Sequence, residues 1–253
     1  MKTVLWTALT VVLGMSGAAY GQAKVDLGAM KLLTERYPMA IQVGTPGAEG
    51  HRFVYTNSAA RLHVHRVKDG KLVKDWETSD LGSRAASMFV TDLYGDGVLK
   101  LVVGTIRGRV LIYDFDSYSL EWENLQYRYA ALEYLLPANL DNDPQQEIIV
   151  IADKIMAIFD GLNKNIQWLS DTQYTARHVI VGNVDDDPQL EIILNTGRVV
   201  DSRFYTIEYE ADQVFGDRIS LFDVTGDGYP EVFGENIDFS IKVFDIWAQR
   251  ELW

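Results

Sequence analysis

The chain contains no cysteine, which excludes disulfides, thiolate nucleophiles and cysteine metal ligands together. A cysteine-free fold must hold by core packing, and 253 residues are enough for that. Proline is scarce, with 6 residues, and no Ser/Gly-rich or low-complexity run occurs. An interdomain linker is therefore not expected, and one domain is the economical reading. Histidine is limited to His51, His63, His65 and His178, none in a catalytic motif. G-x-S-x-G, H-E-x-x-H and a phosphate loop are all missing. Positive charge is also in short supply: 23 Lys and Arg against 36 Asp and Glu give a net charge of −13. That disfavours nucleic acid and anionic membrane surfaces, and favours cations or a basic partner face. Long hydrophobic runs are absent after the first residues, so no membrane insertion is expected.

The one notable apolar run, Val4 to Met15, follows Lys2 and precedes small residues at Ala19 and Gly21. This pattern predicts a secretory signal peptide over residues 1–21, and a mature chain that is secreted or periplasmic. No cysteine follows it, so a lipoprotein anchor is not expected. Gln22 to Arg36 could form a helical turn or add a strand to a terminal blade. The remainder is ordinary globular composition, 47% hydrophobic and 11% aromatic.

What the chain has in abundance is repetition. Its last stretch, Arg218 to Trp253, alternates short apolar runs with Gly, Asp and Asn clusters, the pattern of strands joined by tight turns. It contains an acidic turn, Asp223-Val-Thr-Gly-Asp-Gly-Tyr-Pro-Glu231. This turn recurs as Asn183-Val-Asp-Asp-Asp-Pro-Gln-Leu-Glu191 and Asn139-Leu-Asp-Asn-Asp-Pro-Gln-Gln-Glu147. Asp92-Leu-Tyr-Gly-Asp-Gly-Val-Leu-Lys100 is a weaker copy, and Thr45 to Phe53 an eroded one that keeps only Glu49. The turn starts are 47, 47, 44 and 40 residues apart. A closing aromatic (Trp76, Trp122, Trp168, Tyr209, Trp253) repeats independently with steps of 46, 46, 41 and 44. Four strands per repeat cannot bury their own faces and need copies beside them. The prediction is an all-β propeller of five four-stranded antiparallel blades, spanning about residues 36–76, 84–122, 130–168, 176–209 and 218–253. One aromatic at the same strand position of every blade suits packing between blades better than a sugar platform.

The pattern D-x-[DN]-x-D-[GP]-x-x-E, then an apolar strand, then (V/I)-(F/Y)-D and a Trp, resembles the FG-GAP/VCBS repeat of integrin-like propellers. Gly108-Arg-Val-Leu-Ile-Tyr-Asp114, running on to Trp122, also resembles a quinoprotein-type blade. The resemblance implies fold more than function, because propellers host many unrelated activities.

The three good turns place oxygen side chains at positions 1, 3, 5 and 9: Asn139, Asp141, Asp143, Glu147; Asn183, Asp185, Asp187, Glu191; Asp223, Thr225, Asp227, Glu231. Alternate residues of a tight loop converge on one point, and a hard cation takes several oxygens at about 2.3–2.6 Å. A nine-residue loop closing on an acid resembles the calcium loops of integrin-like blades, which makes calcium the expected ion, bound weakly. Asp92 and Asp96 are the remnant of such a set, with Tyr94 and Lys100 replacing two ligands. The competing reading is that Asp and Asn simply build Asx turns. Pro144 and Pro188 stand at position 6, where Gly97 and Gly228 occur in the other turns, so these loops cannot share one backbone conformation. His63-Val-His65 puts two rings on one strand face, a pair that reads as the polar face of an exposed strand rather than a metal site. The function expected is a binding or scaffold module for a protein or glycan ligand. Alternatives are a carbohydrate-active hydrolase or lyase working in the funnel, and a lectin.

Overall fold

The computed structural model describes residues 39–141 and 143–253. The expected signal peptide and the segment Gln22 to Arg36 lie outside the described residues. The described chain forms five four-stranded antiparallel sheets, each a meander of consecutive strands. Blade 1 holds β1 (Ala40–Val43), β2 (Arg52–Thr56), β3 (Leu62–Lys68) and β4 (Lys71–Glu77). Blade 2 holds β5 (Ala85–Thr91), β6 (Lys100–Thr105), β7 (Val110–Asp114) and β8 (Leu120–Glu123). Blade 3 holds β9 (Leu132–Ala138), β10 (Glu147–Ala152), β11 (Ile155–Asp160) and β12 (Ile166–Leu169). Blade 4 holds β13 (Val179–Gly182), β14 (Glu191–Leu194), β15 (Arg198–Asp201) and β16 (Ile207–Glu210). Blade 5 holds β17 (Arg218–Phe222), β18 (Glu231–Glu235), β19 (Ile241–Asp245) and β20 (Arg250–Glu251). The chain divides into two compact units: one ends at Asp80 and contains blade 1, the other begins at Leu81 and contains blades 2 to 5.

In the first unit, Phe53, Val54, Leu62, Val64 and Val67 are buried. His63 and His65 do not line an exposed strand face. Tyr55 lies directly opposite His63 in the β2–β3 register and stacks on both rings, at 5.0 and 5.5 Å, leaving them half-buried.

In the second unit the second strands β6, β10 and β14 are buried at every position. That is why their sequences run apolar without alternation: both faces of the blade are covered. Successive side chains of a strand point to opposite faces. Ile148 and Val150 of β10 therefore join Val102 and Ile112 of blade 2, while Ile149 and Ile151 join Ile192 and Leu194 of blade 4. Ile193 of β14 faces the other way, onto Phe215, Val232 and Phe244. Each such side chain contributes about 1.5–3 kcal/mol by leaving water.

Three of the closing aromatics sit in these seams. Trp122 meets Phe159 edge-on at 6.2 Å, Trp168 stacks on Tyr205 at 4.8 Å, and Tyr209 lies parallel to Phe215 at 6.4 Å. Trp253 differs, being 72% exposed.

The turn between third and fourth strands is built the same way in blades 2 to 5. Asp114, Asp160, Asp201 and Asp245 each accept backbone N–H groups two or three residues ahead, closing an Asx turn. Four residues after each Asp the chain turns left-handed, at Tyr118 (φ 58°), Lys164 (64°), Tyr205 (55°) and Gln249 (51°). Glycine would adopt this conformation without strain. The fourth strand then bulges just before its aromatic in blades 1 to 4, leaving Asp75, Glu121, Gln167 and Glu208 as the extra residue. A bulge re-aims its side chain, and this one matters for the site below.

Candidate functional site: the acidic turns

Each acidic turn joins the first and second strands of its blade, and its last residue opens the second strand. In blades 3, 4 and 5 that residue is a buried glutamate whose Oε2 accepts the N–H of position 2. The bonds are Leu140 to Glu147 (2.8 Å), Val184 to Glu191 (2.7 Å) and Val224 to Glu231 (2.7 Å). Inside the loop, the position-5 aspartates Asp96, Asp143, Asp187 and Asp227 each accept the N–H two residues on, the Asx-turn geometry.

Positions 1 and 6 are matched by hydrogen-bond chemistry. Where Gly stands at position 6, an aspartate at position 1 accepts its N–H: Gly97 to Asp92 at 2.8 Å and Gly228 to Asp223 at 3.1 Å. Where proline removes that donor, position 1 is asparagine. Asn139 and Asn183 instead donate Nδ2–H to the carbonyls of Asp143 and Asp187, each at 2.6 Å. The glycines are left-handed, at φ 83° and 98°, a conformation closed to proline. The turns thus come in two self-consistent forms, D…G and N…P.

Among the described residues, three groups of acids converge with one ligand atom each lying within 4.8 Å of the others. Asp223, Asp227 and Glu231 form one in blade 5; Asp185, Glu191 and Glu208 form a second, and Asp187, Asp201 and Glu208 a third, both in blade 4. Sequence reasoning assigned the turn residues to this role but missed Asp201 and Glu208. Burial pushes the Glu191 carboxyl up to about 8, with the Asp185, Glu208 and Asp187 charges adding to it. Desolvation and the charges of Asp185, Asp201 and Asp187 raise Glu208 to about 7. In blade 3, burial and the neighbouring Asp141 and Asp143 raise Glu147 to about 7. Glu191 Oε1 and Glu231 Oε1 are buried and have no hydrogen-bond donor among the described residues. All-oxygen, multiply anionic donor sets of this kind fit a hard divalent cation.

Blade 2 solves the same charge problem internally. Position 9 is Lys100, only 5% exposed, whose Nζ donates to Asp114 at 2.9 Å and Glu121 at 2.7 Å. Tyr94, at position 3, donates its hydroxyl to Glu121 at 2.8 Å, and its ring receives Lys164 Nζ at 4.1 Å. Burial alone would lower the Lys100 pKa, but the bonds to Glu121 and Asp114 hold it above its ordinary value. Asp92 and Asp96 here serve the turn backbone, and Glu49 of the eroded blade 1 loop accepts the Asp69 N–H at 2.9 Å.

A cleft of about 430 Å³ opens at the seam of blades 3 and 4, lined by Trp168, Asp171, Thr172, Tyr174 and Tyr205 among others. Among the described residues Asp171 is the carboxylate that lines it. The chemistry on offer is stacking and hydrogen bonding.

Comparison with solved structures decides the architecture. The fold is a β-propeller. Bap1, a biofilm matrix protein of V. cholerae, matches 85% of this chain with a TM-score of 0.60 and 15% identity. Sqt1 of Saccharomyces cerevisiae matches 80% with a TM-score of 0.58 and 13% identity. BBS1N, solved in complex with ARL6, matches 86% with a TM-score of 0.59 and 12% identity. The chain spans 38%, 57% and 67% of the length of those three chains respectively. No protein-family model matches, and no curated protein matches. At these identities the likeness is one of propeller architecture.

Proposed function

We propose that this propeller is an extracytoplasmic binding and scaffold module for a protein ligand, with calcium in the acidic turns of blades 4 and 5 stiffening it. The observation that carries the reading is the apolar end of blade 5. Phe222 is 58% exposed, Val224 51% and Trp247 47%, and they surround the blade's acidic turn. Phe222 meets Phe233 edge-on at 5.4 Å, and Trp247 leans on Tyr229 at 5.8 Å, so the aromatics are held in place before any partner arrives. Exposed, preorganised aromatics beside charged groups are the anatomy of interface anchors. BBS1N, a propeller of the same architecture, was solved holding a protein partner, which is in keeping with this use.

A glycan is the second reading, favoured by the Trp168 and Tyr205 cleft, whose rings and polar rim suit a sugar face. The test uses the full chain immobilised as wild type, as Phe222→Ser/Trp247→Ser and as Trp168→Ala. A protein from the extracytoplasmic fraction retained by wild type and lost by the blade 5 variant supports the leading reading. A glycan lost only by Trp168→Ala supports the second. Turnover of a polysaccharide panel by the wild-type chain would overturn both in favour of an enzyme.

A further inference from the structure

Laying blade 4 over blade 2 by register places five side chains in correspondence. Lys100 pairs with Asp114 across β6 and β7, and Glu191 pairs with Asp201 across β14 and β15. Glu121 and Glu208 are the bulged residues just before the closing aromatic. Tyr94 and Asp96 correspond to Asp185 and Asp187 at turn positions 3 and 5. In blade 2 an ammonium group, Lys100 Nζ, binds the hairpin aspartate and the bulge glutamate at 2.9 and 2.7 Å. In blade 4 the lysine is a glutamate and the tyrosine an aspartate, so the corresponding positions become Asp185, Asp187, Glu191, Asp201 and Glu208, all acids. Blades 3 and 5 lack the full set, carrying Gln167 and Leu252 just before the closing aromatic.

We propose that blade 4 holds a hard divalent cation of the calcium class at Glu208, between the β13–β14 turn and the β15–β16 hairpin, where blade 2 has the Lys100 ammonium. Glu208 belongs to both acid groups of this blade, and each group joins it to a donor of the turn. A second observation points the same way. Glu191 is fully buried and one of its carboxylate oxygens lies within 4.8 Å of Asp185 and Glu208; its Oε2 takes the Val184 N–H, and its Oε1 has no donor among the described residues. A buried carboxylate oxygen with no donor is costly unless a cation meets it. Soft metals are disfavoured, because every donor is a carboxylate oxygen. The ion would tie the first hairpin of the blade to its second, a different role from an ion enclosed by one nine-residue turn. The inference rests on the calcium part of the proposed function and is independent of what the propeller binds.

The test is calorimetric titration of calcium into the full chain, paired with thermal melts in calcium and in chelator. Glu208→Gln, which keeps shape and removes charge outside the turn, should lose one calcium equivalent or weaken it by about tenfold or more. Its melting temperature in chelator should be no lower than wild type, and its rise in calcium should be smaller. Glu210→Gln, two residues along and paired with Arg198, should behave as wild type. Glu191→Lys, which puts an ammonium where blade 2 has Lys100, should abolish calcium binding in blade 4 under either reading, and serves as the control for complete loss of the site. If Glu208→Gln binds calcium as wild type does, the ion belongs to the turns alone: this inference fails and the turn reading stands. If the wild-type chain binds no calcium at millimolar concentration, both fail.

Discussion

Lys100→Met is the sharpest probe of how this propeller manages its buried charge. The two side chains are similar in length and shape, so packing is little disturbed while the ammonium disappears. Lost with it are charge-assisted hydrogen bonds to Asp114 and Glu121, and two carboxylates are left facing one another. Each lost bond to a charged group is worth about 1.5–3 kcal/mol, and breaking a buried pair by removing one partner costs about 3–5 kcal/mol. Asp114 keeps its bonds from Ser117, and Glu121 keeps the Tyr94 hydroxyl, which puts the net loss near the lower end, about 3 kcal/mol. For a chain of this size that lowers Tm by roughly 6–12 °C. The loss should depend on pH. Bonds from Ser117 and Lys100 hold Asp114 well below the usual carboxylate range, so its stabilisation exists above the unfolded pKa and fades as pH falls. Lys100 is held above its ordinary value, so its stabilisation exists below that value and fades as pH rises through the raised one. The difference between wild type and variant is therefore largest around neutral pH and shrinks toward acid. Differential scanning calorimetry from about pH 3 to about pH 8 measures it. A neutral-pH Tm within about 2 °C of wild type, or a gap of constant size across that range, would refute the argument.

His178→Gln should flatten the acid limb of the stability curve: burial, helped by Arg218, lowers His178 to about 4, and its Nδ1 accepts the Ile219 N–H at 3.3 Å. A histidine depressed in the folded state costs stability as pH falls below its unfolded value, so wild type should lose about 2 kcal/mol between about pH 7 and pH 5 and the variant much less. Gln249→Gly should raise stability by about 0.5–1 kcal/mol in chemical denaturation, because the exposed residue sits at φ 51° with its backbone strained. Trp122→Ala should cost about 2–4 kcal/mol by opening the seam against Phe159, whereas Trp253→Ala should stay within about 0.5 kcal/mol of wild type.

The repeat itself was legible in the sequence for a physical reason. A blade is one supersecondary unit whose turns need Asp, Asn and Gly at fixed offsets and whose seams need one aromatic, so two independent markers recur with one period. The turn residues Asn183, Asp185, Asp187 and Glu191 were equally legible, because all lie within one short loop. Glu208 was not. It reaches the turn only because a bulge before Tyr209 rotates it out of the strand's alternation, and bulges leave no local mark in sequence. The stacking of His63 and His65 on Tyr55 was hidden likewise, since it depends on which residue register sets opposite them. Local chemistry, turn by turn and seam by seam, was fixed by residues close in the chain. What only the tertiary structure decided was the company each charge keeps: an ammonium among the acids of blade 2, and acids alone at the corresponding place in blade 4.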